Sequence, residues 1–223
     1  GTYGGGLNRL NRATGMYKAY KHDPENLYSL SNDFVRTILE DHQGALWVGT
    51  DAGGMNRFNR QTERFIRHMK NSNDPYSINS NIISDIYEDS YNNLWIATER
   101  GGLNRYDRDS NRFYHFLSDS ANPTSLSFND VFLLYEDKAG TLWIGTYGGG
   151  LNKLVNNKEK IVNPQFISYR HSPGDPHSLS NDFIMAISED HSGNIWIGTS
   201  AGLNRFDPEK EIFKVYTTKD GLP

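Results

Sequence analysis

The sequence predicts an all-β fold, a β-propeller segment, and three observations carry that reading. An 18-residue stretch at 40–57 recurs at 88–105 and 136–153 and, one residue shorter, at 189–205, and the chain opens on a headless copy of it. All four tryptophans, Trp47, Trp95, Trp143 and Trp196, fill one slot of the repeat, at spacings of 48, 48 and 53 residues. Each repeat holds four strand-length runs separated by turn residues. Four antiparallel strands in about 45 residues is the pattern of a propeller blade, too thin to own a core and therefore packed on its neighbours.

The first run of a repeat is 34–40, apolar on both faces as a strand between neighbours requires. A turn at 41–44 follows, ending on Gly44, Asn92, Gly140 or Gly193, the residue types that tolerate a positive φ. The second run is 46–50. Gly53 and Gly54 lead into the third, 55–59. The fourth, 64–68, alternates charge with apolar residues like an outer, half-exposed strand. A long polar connection then carries a Ser-Leu/Ile pair whose apolar member (Leu30, Ile78, Leu126, Leu179) lies 13 residues beyond a fourth-strand aromatic (Tyr17, Phe65, Phe113, Phe166). Indels respect this scheme. Five extra residues enter the third hairpin around 155–164, and one Gly is missing between Trp196 and Leu203. The count is 18 strands in one array over 1–223: a half-blade at 1–22 and blades at about 31–70, 79–118, 127–171 and 180–217.

Composition narrows the function. Of 223 residues 36% are hydrophobic, 13% are aromatic and 21 are Gly, which suits short strands and tight turns. A net charge of -4 offers no basic excess for nucleic acid, and the absence of Cys removes disulfides and thiolate metal sites. The chain has no signal peptide and no apolar span, so the segment itself is expected to make no membrane contact. It begins in mid-repeat and reads as part of a longer protein.

The repeat resembles a known family. Glu-Asp-x-x-Gly-x-Leu/Ile-Trp-Ile/Val-Gly-Thr followed by Gly-Gly-Leu-Asn-Arg-Phe/Tyr-Asp, best preserved at 136–153 and 189–207, looks like the two-component regulator propeller repeat. Ala97, Asn92 and Met55 are mild departures. The resemblance implies the periplasmic, ligand-sensing part of a hybrid two-component system, with the histidine kinase elsewhere in the parent protein. It also implies an oligosaccharide as ligand, and no catalysis in this segment. Two alternatives stand beside it: a propeller lyase or hydrolase acting on polysaccharide, and a passive scaffold for protein association.

Motifs that tempt a chemical reading have simpler ones. The Glu-Asp pairs (Glu40-Asp41, Glu88-Asp89, Glu136-Asp137, Glu189-Asp190) point to opposite faces of a strand and cannot converge on one substrate atom. The Asp opens a turn, where it can accept backbone N–H bonds. His42 and His191 align with Ser90 and Lys138, so no regular metal-ligand set exists; no metal and no cofactor are expected. The glycine runs lack the helix and Lys-Ser/Thr of a phosphate loop. Asn8, Asn56, Asn104, Asn152 and Asn204 occur in every unit and are expected to hold the blade by buried hydrogen bonds.

Ligand-binding residues are sought where the repeats differ within a fixed frame. With the first strand innermost, the loops between second and third strands share a rim with the residues ahead of each first strand. The candidates are Tyr3, Asp51, Glu99, Arg100 and Tyr147 in those loops, with Asn32, Asp33, Asn129 and Asp130 nearby. Rings that stack on sugar faces, together with planar groups that bond hydroxyls, suit a glycan. The half-blade supplies only third and fourth strands, and of two outcomes, a strained ring of about five blades or an open arc that self-associates as a homodimer, the second is expected.

Overall fold

The computed structural model describes residues 1–155 and 164–222, so the expected five-residue insertion falls largely outside the described residues. Among the described residues, eighteen strands form one two-stranded and four four-stranded antiparallel sheets. The leading unit pairs β1 (Leu7–Leu10) with β2 (Tyr17–Tyr20). Blade 1 comprises β3 (Val35–Glu40), β4 (Leu46–Thr50), β5 (Met55–Asn59) and β6 (Arg64–His68). Blade 2 comprises β7 (Ile83–Glu88), β8 (Leu94–Thr98), β9 (Gly102–Asp107) and β10 (Arg112–Phe116). Blade 3 comprises β11 (Val131–Glu136), β12 (Leu142–Thr146), β13 (Leu151–Val155) and β14 (Gln165–Tyr169). Blade 4 comprises β15 (Ile184–Glu189), β16 (Ile195–Thr199), β17 (Gly202–Asp207) and β18 (Ile212–Tyr216). Strands pair in chain order within each blade.

The Glu-Asp pair explains how a blade is locked. Asp41 accepts the N–H groups of Gln43 and Ala45, closing the turn, and its other oxygen accepts the Trp47 indole N–H at 2.8 Å. Asp89, Asp137 and Asp190 repeat this with Trp95, Trp143 and Trp196 at 2.7 to 2.8 Å. The turn can close because Gly44, Asn92, Gly140 and Gly193 take φ of 76°, 64°, 79° and 82°. The Trp196 N–H and the other turn donors hold the Asp190 carboxyl down at about 2. The Glu of the second, third and fourth pairs reaches the preceding blade, whereas Glu40 pairs with Arg60 of its own blade at 2.6 Å. Glu88 accepts the His42 N–H, Glu136 that of Ser90, and Glu189 that of Lys138, at 2.7 to 2.9 Å.

First strands face one another, β3 against β7, β7 against β11 and β11 against β15, which makes them innermost. They are not apolar-buried on both sides as their composition suggests: Arg36, Ile38 and Met185 are exposed. The free edge of an innermost strand borders the central space, so only the side chains aimed at the next blade are covered. Each first strand also carries a bulge directly after its first residue, at Arg36, Ser84, Phe132 and Met185. A bulge re-aims one side chain and bends the strand.

The core lies in the seams between blades. Four buried clusters join the half-blade to blade 1, blade 1 to 2, 2 to 3 and 3 to 4. Small second-strand residues let the seams close. A Cβ on Gly49 would stand 2.6 Å from Ile83, and one on Gly145 2.8 Å from Ile184. Ala97 fills the same slot in blade 2, where the facing residue is the smaller Val131. Hydrogen bonds continue across each seam: Phe65, Phe113, Phe166 and Phe213 donate from the fourth strand to the carbonyls of Tyr28, Tyr76, Thr124 and His177, so the polar connection covers the outer edge.

Trp47, Trp95 and Trp143 are at most 1% exposed. Trp196 is not their equal. It is half-buried and stacks on Tyr216 of its own blade, because no described residue packs on that face of blade 4. Asn56, Asn104, Asn152 and Asn204 are fully buried and accept the N–H of Ser31, Asn79, Ser127 and Ser180 at 2.8 to 3.2 Å. Asn8 is exposed and reaches only the Gly5 and Gly6 carbonyls, at 3.5 Å, since no Ser-Leu connection lies across it.

Candidate functional site

The rim is built by stitching the loop after each second strand to the residue ahead of the next first strand. Gly4 and Gly6 donate to the Asp33 carbonyl, Ala52 and Gly54 to that of Asn81, Gly102 to that of Asn129, and Gly148 and Gly150 to that of Asp182. The side chains of the same four residues accept the N–H of His22, Lys70, Ser118 and His171 at 2.7 to 2.8 Å. Asp33 and Asn129, two of the sequence candidates, are thus engaged in joining blades. Asn32 closes a local turn by accepting the Phe34 N–H at 2.8 Å.

The remaining candidates form a continuous chain along the rim. The Tyr3 hydroxyl donates to Asp51 at 3.1 Å. Arg36 pairs with Asp51 at 2.9 Å and approaches Glu99 at 3.8 Å, and Glu99 lies 3.9 Å from Arg100. The Arg100 amide donates to the Asp130 carboxylate at 2.5 Å. Arg36, Ser84, Glu99, Arg100, Asp130, Phe132 and Tyr147 line a hollow of about 390 Å³. Glu99, Arg100, Asp130 and Tyr147 were legible as candidates; Arg36, Ser84 and Phe132 were not. These three are bulge residues, and the signal was the same one, variation (Arg36, Ser84, Phe132, Met185) within a fixed frame.

Aromatic rings flank the polar stretch on both sides. Tyr3 meets Phe34 edge-on at 4.6 Å, and Tyr147 meets Phe183 edge-on at 4.5 Å with Phe132 at 6.3 Å. Tyr3 is 73% and Tyr147 52% exposed. Edge-on pairing fixes each ring while leaving a face to solvent. Below the rim, on β7, Asp85 accepts the N–H groups of Leu134 and Ile86 and the Thr37 hydroxyl, tying three innermost strands together. Burial pushes its carboxyl up in spite of those donors.

His42 and His191 do not gather ligands. His42 bonds the Glu88 carboxylate at 2.7 Å, in a cluster with Asp41 and Arg108 at the opposite end of the blades from the rim. Among the described residues no group of three His, Asp or Glu is placed to hold a metal ion, and no helix is long and apolar enough to cross a membrane.

Known proteins share this architecture. A 50-residue stretch is 44% identical to Histidine kinase P4 of Formosa agariphila, covering 22% of this chain and 4% of that protein. The extracellular domain of a candidate hybrid two component system from B. thetaiotaomicron superposes with a TM-score of 0.76 at 24% identity, over 96% of this chain and 27% of that one. A second extracellular domain from B. thetaiotaomicron, of a candidate one component system, gives 0.67 at 23% identity, over 99% and 36%. Likeness at that identity establishes the propeller fold. The pattern of the two component regulator propeller itself matches residues 29–52, 77–100, 125–148 and 178–201, once per full blade and ending each time in the rim loop. The chain belongs to the two-component regulator propeller family.

Proposed function

We propose that this chain is the extracytoplasmic, ligand-sensing part of a two-component sensor, and that its ligand is an oligosaccharide taken up at the rim hollow without being transformed. One observation carries the reading: a polar stretch of guanidinium and carboxylate groups bounded on both sides by exposed, edge-supported aromatic rings. Sugars present apolar ring faces and radiating hydroxyls, and such a surface answers both. The likeness to extracellular domains of two-component systems supports periplasmic placement and a kinase elsewhere in the parent protein. Acid–base catalysis is disfavoured by the partners of the carboxylates, since Asp51 is bound by Arg36 and Tyr3, and Asp130 by the Arg100 amide.

Calorimetry against a panel of plant and algal oligosaccharides tests this. The expected result is binding by the parent chain that is lost in a Tyr147→Ala, Arg100→Ala double variant of unchanged melting temperature. Full affinity in that variant would remove the rim from consideration. Turnover of any panel member would favour the lyase or hydrolase alternative.

A further inference from the structure

One rim loop departs from its siblings in two places at once. Two residues past the last Thr of the second strand, three units have Gly4, Ala52 and Gly148, at φ of 90°, 93° and 124°. Blade 2 has Arg100 there, at φ 58°. The left-handed region suits glycine and is disfavoured for a long side chain. The second departure is the amide's partner. Gly4, Ala52 and Gly148 donate to main-chain carbonyls at 3.1 to 3.2 Å, those of Asp33, Asn81 and Asp182. The Arg100 amide donates instead to a side chain, Asp130 Oδ1. Asp130 itself stands where the other blades have Phe34, Ile82 and Phe183.

The two exceptions face each other across one seam, and each explains the other. A carboxylate has replaced an apolar residue, and its bond holds an arginine in a conformation that the other loops give to Gly or Ala. Disfavoured backbone of this kind persists where its surroundings over-determine it, and it clusters at ligand clamps. Its effect here is to present a guanidinium at the wall of the hollow with 83% of the side chain exposed and its nearest carboxylate 3.9 Å away. The other cation of the hollow is committed, because Arg36 is paired to Asp51 at 2.9 Å.

We propose that Arg100 reads an acidic substituent, a carboxylate or sulfate, on the oligosaccharide, and that Asp130 is the positioning residue that holds it there. This rests on the rim hollow being the ligand site. A guanidinium offers a planar fork of donors that fits two oxygens of one anion, giving orientation as well as attraction. The surrounding carboxylates do not bar such a group: Asp51 is neutralised by Arg36, Asp130 is turned to an amide, and Glu99 lies between the two arginines.

The test is calorimetry with di- to hexasaccharides of galacturonate, mannuronate and sulfated galactose, each beside its methyl-esterified or desulfated counterpart. The acidic member of at least one pair should bind more tightly, with the two arms separating carboxylate from sulfate. Arg100→Gly should weaken that member by about 10- to 100-fold, to the level of its neutral counterpart. Its melting temperature should stay equal or rise, since glycine fits the left-handed position. Asp130→Asn keeps an acceptor for the amide and should retain the acidic preference, whereas Asp130→Phe should lose it. Neutral ligands bound as tightly as acidic ones, with Arg100→Gly silent and Tyr147→Ala damaging, overturn the acidic reading and leave the rim site standing. Binding by no member, or binding indifferent to both variants, overturns the two together.

Discussion

Blades 2 and 4 share one strand order and the Asp–Trp clamp, and they differ most in what lies beyond them. Trp95 is fully enclosed and belongs to the buried cluster that also contains Leu134, Leu142 and Ile144 of blade 3. Trp196 keeps its bond to Asp190 and a stacked Tyr216, yet remains half open. The difference teaches that the repeat encodes half of a core. The strands of one blade are determined locally, but the burial of its tryptophan is a property of the pair.

The largest effect should come from removing that ring in the covered seam. Trp95→Ala is expected to cost about 3–5 kcal/mol in chemical denaturation, as for an enclosed aromatic. Trp196→Ala should cost about half as much, because part of its surface is hydrated before the change. Equal losses at the two positions would break the comparison.

His68 sharpens it through pH. It occupies the fourth-strand slot filled by Phe116, Tyr169 and Tyr216 elsewhere, among Trp47, Tyr106 and Phe113. Burial, with Arg57 adding to it, pulls its pKa down to about 4, and its Nε2 has no partner among the described residues. The folded ring stays neutral while the unfolded one protonates near 6.5, so stability should fall as pH drops from 6.5 to 4, by about 3 kcal/mol in all. His68→Phe should abolish the slope in that window. Tyr216→His, on the open face, should introduce little slope. Unfolding midpoints at pH 7.0, 5.5 and 4.5 for the three proteins decide the matter.

A smaller contrast concerns the glycines of the seams. Gly49→Ala forces a methyl to within 2.6 Å of both Ile83 Cγ2 and Thr37 Cγ2 and should cost about 2 kcal/mol. Gly198→Ala meets nothing closer than 3.4 Å and should be nearly neutral. Smallest of all, Asn8→Ala should change stability by less than about 0.5 kcal/mol, whereas Asn152→Ala, which strips a buried bond from Ser127, should cost about 1–2 kcal/mol. Thermal denaturation of the four variants checks both contrasts.

Much of this was readable from the repeat. Turn glycines, strand runs and the buried Asn follow from local chemistry repeated four times, and the described residues form the 18 strands expected. What escaped was whatever depends on a neighbour. Glu88, Glu136 and Glu189 read as strand residues, but their partners lie in the turn of the preceding blade, 46 to 51 residues away. Asp33 and Asn129 looked like rim polar groups because their amide donors lie 11 residues upstream, beyond any local pattern. Arg36 and Phe132 escaped because an alternating pattern does not reveal a bulge, and without the bulge neither residue borders the hollow.

The seam bonds have a consequence for how such a protein changes size. Every one of them, Glu to turn, loop amide to Asp or Asn carbonyl, fourth strand to connection, runs from one blade to the next and no further. Each blade carries both halves of the joint, a donor set for one side and an acceptor set for the other. Duplicating or deleting any whole repeat, wherever the genetic breakpoints fall within it, therefore regenerates the same set of joints. Blade number becomes a quantity that can drift by recombination with no new interface to evolve, while Arg100 and Asp130, split across one joint, would be separated by an insertion between them.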